Sequence, residues 1–188
     1  MGAVAVFLDR DGTICKDVHY MSSPTQFELL PKVAEGIRLL NELGVKVIVV
    51  TNQSGIARGY FSEEDLRSIH ERMICVLSKK GARIDAIYYC CHHPNDNCNC
   101  RKPQTGMLET AARDFGLDLN RCFIVGDKEL DIQTGGKVGC TSILVPSPET
   151  EPNVKVGYVA ANLYEAAKLV FELHVGSQKV ASEVSCTK

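Results

Sequence analysis

Short runs of β-branched and aromatic residues recur along this chain with segments of helical spacing between them, and that alternation limits the possible folds more than any other feature. Residues 3–9 form the first run, which stops abruptly at a charged, glycine-containing segment, as a buried parallel strand does. Pro31 then opens a stretch that places Val33, Ile37, Leu40 and Leu43 on one helical face, closed by Gly44. Residues 45–50 read as the second strand. Ser62, Glu63, Glu64 and Asp65 make a helix-start pattern ahead of the stripe Leu66, Ile69, Met73 and Leu77, which stops at Gly81. Residues 84–90, 122–125 and 141–145 read as further strands, and 105–115, 130–138 and 163–173 as helices. The pattern implies an α/β fold with a doubly wound, Rossmann-like parallel sheet covered on both faces.

The 188 residues suit one domain, expected over residues 1–174, with a polar, frayed tail over 175–188. Lysine and arginine number 21 against 23 acidic residues, a net charge of -2 that gives no general attraction to nucleic acid or anionic lipid. No apolar run approaches the ~20 residues that span a bilayer. The opening residues lack the basic region and cleavage site of a signal peptide, and the Ser or Thr of a myristoylation signal. These features predict a cytoplasmic protein with no membrane or nucleic-acid partner, and a monomer is the expected state.

In a doubly wound sheet, ligands bind beyond the carboxyl ends of the strands, so the residues that follow each run should meet. After the first run stand Asp9, Arg10, Asp11, Gly12 and Thr13. Extended alternation sends Asp9 and Asp11 to one side and Arg10 to the other. Two carboxylates sharing a site repel each other unless a cation sits between them, and a hard dication with oxygen ligands suits them best. Gly126, Asp127, Lys128 and Asp131 bring further carboxylates to the same edge. Thr51, Asn52, Gln53 and Ser54 offer hydroxyls, amides and backbone donors for phosphate oxygens, and Arg101 and Lys102 bring cationic donors. Each cluster alone has a bland explanation as a turn, a strand end or a solvated surface. Four of them at four strand ends do not.

In order and spacing, Asp9-x-Asp11-Gly12-Thr13, Thr51-Asn52, Lys102 and Gly126-Asp127-x-x-x-Asp131 resemble the haloacid dehalogenase-like phosphatases over about residues 3–145. The resemblance implies that Asp9 attacks phosphorus to give an aspartyl-phosphate. Asp11 would serve as acid and then as base. Thr51 and Lys102 would hold the transferring group, and Mg²⁺ would be bound by the Asp9 carboxylate, the Asp11 backbone carbonyl and Asp127.

Of the nine cysteines, Cys90, Cys91, Cys98 and Cys100 crowd into one loop, together with His92 and His93. In a chain without a secretion signal this favours a metal over disulfides. A Cys-x-His followed by Cys-x-Cys supplies the closed tetrahedral set of structural Zn²⁺, with Cys90 and His92 or Cys91 and His93 as the first pair. The resemblance narrows here to a zinc-containing subgroup of the family and implies Cys90, His92, Cys98 and Cys100 as ligands. A metal so close to Arg101 and Lys102 would fix their presentation to phosphate.

The gaps after Thr13 and Gln53 are too short for a large cap domain, so loops must enclose the substrate. The subgroup acts on small phosphorylated metabolites, heptose bisphosphate and histidinol phosphate among them. The stretches Asp17-Val18-His19-Tyr20 and 51–59 resemble the heptose-acting members more closely. That likeness implies a small-molecule sugar-phosphate substrate hydrolysed at its 7-phosphate. It would be bound by Asp17, His19, Tyr20, Thr51, Asn52, Gln53, Ser54, Arg101, Lys102 and Lys128. Histidinol phosphate is the alternative substrate, and a zinc-containing binding module with a relaxed acidic site is the alternative class. The intact set of Asp9, Asp11, Thr51, Lys102 and Asp127 argues against the module.

Overall fold

The computed structural model describes residues 2–148, 150 and 154–185, with side chains in the last helix described as far as residue 175. The first apolar run pairs as β1 (Ala5–Leu8) in the middle of a six-stranded sheet whose pairings are all parallel. The strands that follow are β2 (Lys46–Asn52), β3 (Ala86–Cys90), β4 (Phe123–Gly126), β5 (Thr141–Leu144) and β6 (Tyr158–Val159), in the spatial order β3-β2-β1-β4-β5-β6. Between them run α1 (Val33–Glu42), α2 (Glu63–Ser78), α3 (Gly106–Phe115), α4 (Glu129–Lys137) and α5 (Leu163–Ser185). Three short 3-10 turns complete the path at Pro24–Gln26, Pro94–Asp96 and Leu119–Arg121.

Alternation along the central strands builds two cores from one sheet. Val6, Leu8, Val47 and Val49 pack with Ile37, Met73 and Ala166 from α1, α2 and α5. Ala5, Phe7, Ile48 and Val50 face the other way and pack with Met107, Leu108 and Ala111 of α3. A strand buried on both faces has no room for a polar position, which is why these runs are continuously apolar. At α2, Ser62 accepts from the Asp65 N–H while the Asp65 carboxylate accepts from the Ser62 N–H, closing a capping box that fixes the helix start.

Two elements differ from the sequence reading. β6 has only two residues, too few for a periodic signal. The last helix runs to Ser185 instead of stopping at Leu173, because the chain beyond its apolar stripe carries no proline and is otherwise compatible with a helix. No described helix is long and apolar enough to cross a membrane.

Candidate active site

Strand order reverses between β1 and β4, whose carboxyl ends therefore frame the crevice where a doubly wound sheet binds its ligand. Asp9 follows β1 and donates its N–H to the Val125 carbonyl at 3.0 Å, which fixes it against β4. Two glycines permit the close approach. Gly12 has φ +87°, and a side chain on it would overlap the Asp127 carboxylate; one on Gly126 would overlap that of Asp131.

Asp9, Asp127 and Asp131 converge so that one oxygen from each lies within 4.8 Å of the others. Lys102 is buried among them. Its Nζ lies 2.9 Å from Asp9 Oδ1 and 2.6 Å from Asp131 Oδ1, and donates to the Val50 carbonyl at 2.9 Å. Burial opposes the Lys102 charge, but Asp131 and Asp9 outweigh it and raise its pKa. Burial also lifts the Asp127 carboxyl to about 6 and raises that of Asp131. Three clustered carboxylates against one ammonium are short of positive charge, and an all-oxygen donor set suits Mg²⁺. Asp127 is oriented by Ser147, whose hydroxyl donates at 2.6 Å, and Thr150 donates to its carbonyl at 2.6 Å. Ser147 and Thr150 follow β5 and went unnoticed in the sequence, although the strand-end rule extends to that segment.

Asp9 and Asp11 both line the cleft between these strand ends, but the Asp11 carboxylate stands outside the close group of Asp9, Asp127 and Asp131, and Arg10 does not point away from it. Strand alternation ends with β1 at Leu8, and the turn that follows folds the Arg10 guanidinium back onto its neighbour. Arg10 Nη2 donates to Asp11 Oδ1 at 2.9 Å and Oδ2 at 2.7 Å, and Nε donates to Oδ1 at 3.1 Å. Gln53 Nε2 donates to Asp11 Oδ2 at 2.9 Å and to Thr51 Oγ1 at 2.8 Å, so it ties the acid–base candidate to the candidate phosphate-binding threonine. For the expected cation, Asp131 joins Asp9 and Asp127 among the carboxylates that could hold it.

Behind Arg10, its Nη1 lies 3.4 Å from His70 Nε2 on α2. Guanidinium can only donate, so Nε2 accepts and the neutral ring carries its proton on Nδ1. Burial first, and then the Arg10 charge, push the His70 pKa from 6.5 down to about 3. The unfolded chain takes up this proton near pH 6.5 and the folded chain only near 3. The contribution is thus fully present above that upper value and is lost as pH falls through the window. The loss is about 2 kcal/mol at pH 5. The raised carboxyls of Asp127 and Asp131 act in the opposite sense, so a difference measurement is needed. Relative to wild type, His70→Gln should gain about 2 kcal/mol of denaturation free energy between pH 7 and pH 5. Parallel pH profiles would show that His70 carries no acid sensitivity.

Asp9, Asp11, Gln53, Lys102 and Asp131 line a cleft of about 260 Å³. Thr51 and Ser54 line it from the end of β2 and the turn beyond it. Asn52 also lines it, but the amide is committed to holding Lys102. Its Nδ2 donates to the Lys102 carbonyl at 3.1 Å, and its Oδ1 accepts the Lys102 N–H at 3.0 Å. The opposite wall carries Asp17, His19, Tyr20 and Lys128. Lys128 Nζ pairs with Asp17 at 2.8 Å, raising the lysine and helping to lower the carboxylate against burial. Tyr20 meets the exposed Tyr60 edge to face, with ring centroids 4.7 Å apart. Arg101 also lines the cleft, and its buried Nη1 has no hydrogen-bond partner among the described residues. Arg58 is exposed on the adjoining loop.

The cysteine loop resolves the choice left open by its spacing. Cys90 Sγ lies 3.6 Å from Cys98 Sγ and 3.6 Å from His92 Nδ1, which is itself 3.2 Å from Cys100 Sγ; Cys98 and Cys100 are 3.5 Å apart. Ligands about 2.3 Å from a tetrahedral metal place their sulfurs about 3.8 Å apart, so these four atoms fit Zn²⁺. Cys91 lies outside the group, and His93 caps the Pro94–Asp96 turn. Purified protein should carry about one zinc per chain. Cys98→Ser should lose that zinc and lower kcat/KM about 10- to 100-fold by loosening Arg101 and Lys102. Zinc-free protein with full activity would overturn the assignment.

Residues 99–166 match the family model described as HAD-hydrolase-like. A D-glycero-beta-D-manno-heptose-1,7-bisphosphate 7-phosphatase of Photorhabdus laumondii is 44% identical over 153 residues, covering 77% of this chain and 81% of the relative. An alpha-anomer counterpart from the same organism is 36% identical over 174 residues, covering 87% and 94%. Among solved structures, the D,D-heptose 1,7-bisphosphate phosphatase of B. bronchiseptica, complexed with magnesium and phosphate, superposes with a TM-score of 0.80 at 33% identity, covering 90% of this chain and 98% of that one. A putative HAD-like phosphatase from Mesorhizobium loti gives 0.81 at 34% identity, covering 93% and 87%. Identity at this level over most of both partners makes this chain a member of the HAD-like hydrolases.

Proposed function

We propose that this chain is a magnesium-dependent phosphomonoesterase that removes the 7-phosphate of D-glycero-D-manno-heptose 1,7-bisphosphate, acting as a cytoplasmic monomer. The observation that carries the chemistry is Asp9, its carboxylate held 2.9 Å from a buried ammonium at the floor of an open cleft. Asp9 attacks phosphorus as the bond to the sugar oxygen breaks, and Asp11 donates a proton to that leaving oxygen. Asp11 then takes a proton from water, which attacks the aspartyl-phosphate, releasing inorganic phosphate and restoring Asp9. Thr51 and Lys102 offer donors to the equatorial oxygens, where charge builds up. Mg²⁺, held by Asp9, Asp127 and the Asp11 carbonyl with Asp131 alongside, would supply the positive charge that the carboxylate cluster lacks.

The substrate reading rests on the names of the relatives and on a second set of donors. The unpartnered Arg101 Nη1 is suited to an anionic group away from the reacting phosphate. Phosphate release should be faster on heptose 1,7-bisphosphate than on histidinol phosphate and should stop when Mg²⁺ is chelated. A preference for histidinol phosphate would overturn the substrate, and inactivity on both would overturn the enzyme class. Running both anomers of the heptose decides between the two relatives' specificities.

A further inference from the structure

Arg10 is the largest fully buried side chain of the described residues, with 1% of its surface exposed, and the mechanism above gives it no task. Its ion pair is with Asp11, and the Asp9 carboxylate acts on its charge more weakly than Asp11 does. Three of its hydrogen bonds converge on the two oxygens of Asp11, and its remaining amino group lies against His70 Nε2. His70 is held on its far side, tilted against Tyr89 of the edge strand β3 with ring centroids 5.9 Å apart. A planar guanidinium that grips both oxygens sets the plane and direction of a carboxylate, which a lysine's point charge cannot do.

We infer that Arg10, braced by His70, is the positioning residue that orients the Asp11 carboxyl for proton transfer. The inference rests on the phosphatase reading and adds to it a chain Asp11–Arg10–His70 running from the cleft into α2. Gln53 completes the hold from the other side through the second Asp11 oxygen. A carboxyl fixed from both sides gives up little freedom when it must meet a leaving oxygen in one geometry.

The test uses leaving groups. A sugar alkoxide needs a proton as it departs, whereas p-nitrophenolate leaves unaided, so only the former depends on a well-aimed acid. The kcat/KM for each substrate reports steps up to cleavage of the ester. Arg10→Lys keeps the charge and loses the fork. It should lower kcat/KM for heptose 1,7-bisphosphate at least about tenfold more than for p-nitrophenyl phosphate. Because a buried arginine is a hazard to change, His70→Ala and His70→Gln form a second arm. Alanine should shift the ratio in the same direction, and glutamine, which keeps an acceptor for Nη1, should restore it. Equal losses on both esters in folded variants, or alanine and glutamine variants with the wild-type ratio, would overturn the positioning role alone. Wild-type protein inactive on both esters would overturn the phosphatase reading and this inference with it.

Discussion

Asp9→Asn is expected to abolish turnover, lowering kcat by about 10⁴-fold or more, in a protein that still folds. The amide keeps the shape of the carboxylate and its contact with the Arg10 N–H, which donates to Asp9 Oδ1 at 2.7 Å, but it cannot attack phosphorus. Folding should survive because one of three mutually repelling carboxylates is removed, while Lys102 keeps Asp131 and the Val50 carbonyl. Phosphate release at saturating substrate, measured beside thermal denaturation, reads both expectations. A folded variant with near-normal release would remove Asp9 as the nucleophile.

Lys102→Met is expected to damage activity and stability together. The apolar chain fills the same tunnel but leaves Asp9 and Asp131 without their cation and the Val50 carbonyl without a donor. Breaking one partner of a buried pair leaves an uncompensated charge, at about 3–5 kcal/mol. Loss of the donor to the transferring group should take about 10²- to 10³-fold from kcat/KM. Denaturant unfolding at neutral pH and turnover at fixed Mg²⁺ check the two halves. Since Asp131 can take up a proton to relieve the burial, the stability loss should shrink as pH falls toward 5. A variant as stable as wild type at neutral pH would show that the ammonium is not needed to neutralise the cluster.

Much of this site can be read along the chain because its parts sit where a parallel sheet must put them. Asp9, Thr51, Lys102 and Asp127 each lie just beyond an apolar run or the loop that follows one. A strand buried on both faces tolerates polar groups only at or past its end. The candidate zinc ligands are legible for a different reason, since four donors to one ion must be close in sequence when a short loop carries them all. The parity of the first pair is not legible in the spacing, because Cys90 with His92 and Cys91 with His93 are equally separated. The turn at Pro94–Asp96 decides it by taking His93 as its cap.

What the sequence by itself determined is the α/β alternation, the carboxylates at the strand ends, the cysteine loop and the absence of room for a large cap. All of these depend on local periodicity or on neighbours along the chain. Tertiary structure decided how side chains from different elements meet. Asp11 turns to Arg10 because the strand geometry that would aim it at Asp9 ends one residue before Asp9 itself. Asn52 clamps Lys102 and Asp131 anchors it, across 50 and 29 residues of chain. His70 looks like any helical histidine until α2 packs it against a buried guanidinium. Contacts of that kind are set by which helix covers which strand, and a pattern of neighbours along the chain carries no record of them.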